Sequence, residues 1–143
     1  MSKSNALEND FLKLIFTATA IANIADNAAA APLTNLYVGL HTSDPGEAGN
    51  QTTNEISYTG YARIAVARSG AGWTVTANVV TPVANITFGE MTAGAGGTAT
   101  HAGVGTASSG AGKLLWSGAI TPNIAVVNGV IPQLKTTSTI TEI

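Results

Sequence analysis

The sequence predicts a mainly β fold: an antiparallel β-sandwich, jelly-roll-like or immunoglobulin-like, with one N-terminal α-helix. Three observations predict it. Short apolar or alternating runs recur at the spacing of about 8–12 residues expected of sandwiches and barrels. Turn residues separate them, with 16 Gly and 5 Pro among 143 residues. Helical periodicity is convincing in only one segment, near the N-terminus. The length fits a single domain over 1–143, read as a helix over 5–25, a linker over 26–34 and a β-sandwich over 35–143.

The helix rests on Leu7, Phe11, Leu14, Ala18 and Ile21, which recur at steps of four and three and share one face. Asn5 precedes Glu8 by three residues, the spacing of a capping box. This stripe is the candidate interface. It covers either the body of its own domain or the helix of a second copy. A signal peptide reads poorly here, because Glu8 and Asp10 offset the front lysine and Lys13 interrupts the apolar core. Pro32 closes the linker, since it disfavours helix at the residue before it.

Leu36 to Leu40 reads as a buried strand. Ser43-Asp44-Pro45-Gly46 reads as a type II turn, with Pro second and Gly third. Glu47 to Asn54 reads as an exposed, mobile polar loop. Asp44, Pro45, Gly46 and Glu47 form the candidate contact loop. Alternation returns from Glu55 to Arg68, where Gly60 marks a bulge or bend. Trp73 to Val80 is the next strand, with Trp73, Val75 and Ala77 pointing one way and Thr74, Thr76 and Asn78 the other. Strands follow at Asn85–Phe88, Thr98–Thr106, Lys113–Ala119 and Asn123–Gln133. The last is read as a hairpin turning at Asn128-Gly129, where both residues tolerate positive φ. Lys135 to Ile143 is a Thr-rich strand or tail.

Composition excludes several functions. There is no cysteine, so there is no disulfide framework, thiolate zinc site or cysteine nucleophile. That fits maturation in a reducing cytoplasm. Charged residues are 10% and the net charge is −2, which argues against a nucleic-acid partner. No apolar run approaches the roughly 20 residues of a membrane span. A surface of Ala, Gly, Thr, Ser and Asn desolvates at low cost, which points to an oligomer or lattice partner.

Candidate chemistry is thin. Gly94-Ala95-Gly96-Gly97-Thr98-Ala99 has the letters of a dinucleotide fingerprint but leads into a strand, where the fingerprint needs a helix. Ser108-Ser109-Gly110-Ala111-Gly112-Lys113 ends like a phosphate loop, yet Leu114 stands where the magnesium ligand belongs. His41, Asp44 and Glu47 bear metal-ligating groups, but their spacing crosses a turn. Glu47, Glu55 and Glu90 are too few and too scattered for a convincing glycosidase pair. Trp73 and Trp116 read as core residues; exposed with Tyr58 and Tyr61, they would form a sugar-stacking platform. No catalytic residue and no cofactor is assigned, and the chain does not read as an enzyme.

The run Leu36-Tyr37-Val38-Gly39-Leu40-His41-Thr42-Ser43-Asp44-Pro45-Gly46-Glu47-Ala48-Gly49 carries a resemblance, with Asn54-Glu55-Ile56 and Tyr58-Thr59-Gly60-Tyr61-Ala62-Arg63. The stretches Gly103-Val104-Gly105-Thr106-Ala107 and Gly112-Lys113-Leu114-Leu115-Trp116-Ser117-Gly118 add to it. Together they resemble a family of small virion structural proteins of tailed bacteriophages. The resemblance implies a structural role in the virion. Its leading version is a capsid decoration, or cement, protein that binds the major capsid protein and copies of itself as a homodimer or homotrimer. The alternative is a tail or tail-fibre component. From another class, a carbohydrate-binding module stays open.

Overall fold

The computed structural model describes residues 4–21 and 32–142. Its elements in chain order are α1 (Asn5–Phe16), β1 (Asn35–His41), β2 (Ile64–Ala67), β3 (Trp73–Thr76), β4 (Val79–Pro82), β5 (Ile86–Thr87), β6 (Gly97–Gly105), β7 (Leu114–Val126), β8 (Gln133–Leu134) and β9 (Ile140–Thr141). The expected class is present: mainly β, with antiparallel pairing and one helix among the described residues, consistent with a β-sandwich. Contacts group the chain into two compact units interleaved along its length. Unit 1 is Met1–Asn35, Val66–Asn85 and Lys135–Ile143; unit 2 is Leu36–Ala65 and Ile86–Leu134.

Unit 1 packs α1 against β3 and β4. Leu12 and Phe16 are fully buried, and the Phe16 ring meets Trp73 edge to face with centroids 5.0 Å apart. Such a contact adds roughly 0.5–1.5 kcal/mol to area burial. β4 sits between β3 and β9. The predicted strand over 73–80 is a hairpin: β3 and β4 pair from Trp73↔Pro82 to Thr76↔Val79 and turn at Ala77-Asn78. Ala77 has φ 53, a conformation its side chain disfavours, so the sequence carries no turn signal there.

The helix is shorter than the periodicity predicts. It ends at Phe16, not residue 25. The amides of Thr17 and Thr19 both donate to the Lys13 carbonyl, and Ala18 takes φ 55, the left-handed conformation that commonly ends a helix. Arg68 donates to the next two carbonyls, Leu14 O at 2.6 Å and Ile15 O at 2.5 Å. A cation there also suits the negative end of the helix dipole. Residues 22–31, and with them most of the expected linker, lie outside the described residues.

The four-stranded sheet runs β2-β1-β6-β7. β1 and β6 pair in unbroken register from Tyr37↔Gly105 to His41↔His101. Leu36, Val38 and Leu40 bury one face of β1, as expected. The long strand expected over Glu55–Arg68 shrinks to β2, because a turn around Gly60 breaks it. Gly60 has φ 103 and a Cβ there would sit 2.1 Å from Glu90 O, so only glycine fits. The strands expected at Lys113–Ala119 and Asn123–Gln133 are likewise different. β7 is one 13-residue strand with an irregularity where His101↔Ala119 gives way to Ala99↔Ile124. Asn128-Gly129 does turn the chain, with Gly129 at φ 83, but β8 pairs with β5 instead of folding back on β7.

Candidate functional site

The polar groups of unit 2 gather beneath the Thr42–Asn54 loop. β1 ends at His41, which bridges to Glu55, so this loop leaves the sheet and returns beside its own starting point. Glu55 accepts from Arg63 twice, Nε to Oε1 and Nη2 to Oε2, each at 2.7 Å. This is the bidentate geometry in which Arg and a carboxylate pair best. The guanidinium also donates to Ala107 O at 3.0 Å and Gly110 O at 2.8 Å. The Tyr61 hydroxyl donates to Glu55 Oε1 at 2.8 Å and accepts the Leu40 amide at 3.1 Å. Burial pushes its pKa up, so it stays a protonated donor.

Gln51 fastens the loop at a second point. It is only 3% exposed. Its amide side chain accepts from Ala107 N at 2.8 Å and donates to Ala107 O at 3.2 Å, while its backbone N–H donates to Ala111 O. A Cβ at Gly105 would lie 2.2 Å from Gln51 Cδ, so that glycine makes the room. The loop expected to be mobile is therefore held. It is also braced within itself. Gly46 N donates to Asp44 Oδ1, Asn54 Nδ2 to Asp44 O, and Thr52 N and Oγ1 to Asn50 Oδ1.

Of the candidate contact residues, Asp44, Gly46 and Glu47 are exposed and Pro45 is buried. The loop thus presents two carboxylates on a fastened backbone. The candidate helix stripe is cut short by the end of α1. Phe11 is 37% exposed, Leu14 is half-buried, and Ala18 and Ile21 lie past the helix end. The Leu7 side chain lies outside the described residues. Leu12 and Phe16 turn inward instead.

The other motifs find plain roles. Among the described residues no group of three or more His, Asp or Glu side chains converges as a metal site would require. Both glycine-rich runs lead into strands, β6 and β7. The carbonyls of Ala107, Gly110 and Ala111 face Gln51 and Arg63. Trp73 is 2% exposed, and Tyr58 is buried beside Tyr61, so neither offers a face to a sugar.

A family profile described as "Podophage GP4 fiber I protein gp80" matches residues 2–141. The chain belongs to that family. It is a phage structural protein, which bears out the coarser part of the resemblance. No curated protein matches the chain. Within the family's span, Gln51 fastens the exposed loop, and Tyr61 and Arg63 hold Glu55 at its end. In the sequence Glu55 reads as a stray carboxylate, Tyr61 as part of a candidate stacking platform and Gln51 as part of an exposed loop; in the structure all three join the network that braces the backbone.

Proposed function

We propose that this chain is a structural component of a phage fibre. Copies of itself and neighbouring virion proteins are its partners, and the Thr42–Asn54 loop is an exposed contact element. One observation carries the reading: the match to a fibre protein family over residues 2–141. It favours the tail-fibre alternative over capsid decoration. The geometry supports a structural role, because the buried side chains of His41, Gln51 and Arg63 are engaged in bracing Glu55 and loop backbone. A fastened loop loses little further entropy on binding, which suits a repeated contact.

The absence of cysteine provides the test. Glu47→Cys places a single thiol on the exposed loop for gold labelling of purified particles. The expected label lies on tail-associated fibres at a few dozen copies or fewer, an order-of-magnitude expectation for appendages that hold a fixed symmetry. Label spread over the head, at a copy number near that of the capsid subunit, would restore the decoration reading.

A further inference from the structure

His41 is the one imidazole sealed inside the loop's anchorage. It is 1% exposed. Its Nδ1 lies 2.8 Å from Thr53 O, in the returning limb of the loop. A carbonyl oxygen only accepts, so Nδ1 carries the proton and Nε2 carries the lone pair of the neutral ring. Nε2 faces the backbone of β6, where a Cβ at Gly103 would sit 2.7 Å from it. The ring nitrogen that would take the second proton therefore lies close against the backbone of β6.

We propose that His41 is an acid-sensitive latch: protonation of its imidazole unseats the Thr42–Asn54 loop while the rest of the fold persists. The groups that face it are Glu55, Arg63 and His101. Glu55 favours the charged ring, but its carboxylate is already engaged by Arg63 and Tyr61. Arg63 and His101, the cross-strand neighbour of His41, oppose the charged ring. Burial is the largest influence and lowers the proton affinity below the ordinary value of 6.5; the Thr53 hydrogen bond and Glu55 pull the other way. The unfolded chain then binds more protons than the folded one as pH falls below 6.5. Seating is therefore complete above that pH and weakens below it. The partner-free loop is enough for this, so the device does not depend on the fibre assignment.

The test is amide hydrogen exchange, corrected for intrinsic rate, on the full chain at pH 7.5 and pH 5.0. The Thr42 and Gln51 amides, which donate to Asn54 O and Ala111 O, report seating. Their exchange is expected to speed up severalfold at pH 5.0, while the β3–β4 amides hold. His41→Gln keeps a donor for Thr53 O but cannot titrate, and it should abolish the response; His101→Gln should keep it. If His41→Gln fails to fold, an NMR titration of the wild-type imidazole decides. Loop exchange must then follow the His41 midpoint. A wild-type loop indifferent to pH, a response surviving in His41→Gln, or a midpoint that tracks another group overturns the latch.

Discussion

In unit 1 the segment laid on the sheet is α1, and it is held by Leu12 and Phe16 with Trp73 behind the ring. In unit 2 the held segment is the Thr42–Asn54 loop; Gln51 fastens it to Ala107 and Ala111, and Glu55, where the chain rejoins the sheet, is held by Arg63 and Tyr61. The apolar attachment tolerates small shifts, because dispersion and burial have little direction. The polar one has a single solution, because every donor must find its acceptor or leave a buried group unsatisfied. Irregular backbone cannot bury itself behind a ladder of its own, so side chains supply its hydrogen bonds. A helix needs such help only at its ends, and Arg68 gives it there.

This contrast breaks most readily at the two anchors. Arg63→Ala leaves the Glu55 carboxylate unpaired and should cost about 3–5 kcal/mol in urea denaturation. Trp73→Ala should cost a similar amount, about 3–5 kcal/mol, through a cavity. The two losses differ in what repairs them. Adding Glu55→Gln should recover part of the Arg63→Ala loss, because it removes the stranded charge, and should do nothing for Trp73→Ala. Equal recovery in both would erase the distinction.

Smaller effects sharpen it. Gln51→Ala strands the Ala107 amide, while Arg63 still donates to the Ala107 carbonyl, and should cost about 1–3 kcal/mol. Arg68→Met uncaps the helix and should cost up to about 2 kcal/mol, with lower helical circular dichroism. Phe11→Ser should cost roughly 1 kcal/mol of monomer stability, because the ring is only partly exposed. Its readout is incorporation into particles, and a drop there would make the outer helix surface an assembly contact.

The apolar run Leu36 to Leu40 announces β1, because a short apolar stretch of that length suits a buried strand. The end of α1 is hidden, since Ala18 enters the left-handed region without the glycine that usually signals it. The break expected between Ala119 and Asn123 lies inside β7, where the pairing is irregular opposite Thr100. Gln51 is unreadable for a different reason. Its partners are backbone atoms of Ala107, 56 residues away, and a carbonyl leaves no trace in a residue pattern. Arg63 was visible as an alternating strand residue, yet its pairing with Glu55 depends on the turn around Gly60.

The most direct check is the exchange rate of the Gln51 amide at neutral pH, in wild type and in Arg63→Ala. A fastened loop predicts protection comparable to the β1–β6 amides in the wild type, with loss in the variant while β3–β4 stays protected. Rapid exchange in the wild type would mean that the loop is free and that the polar cluster beneath it does not hold it.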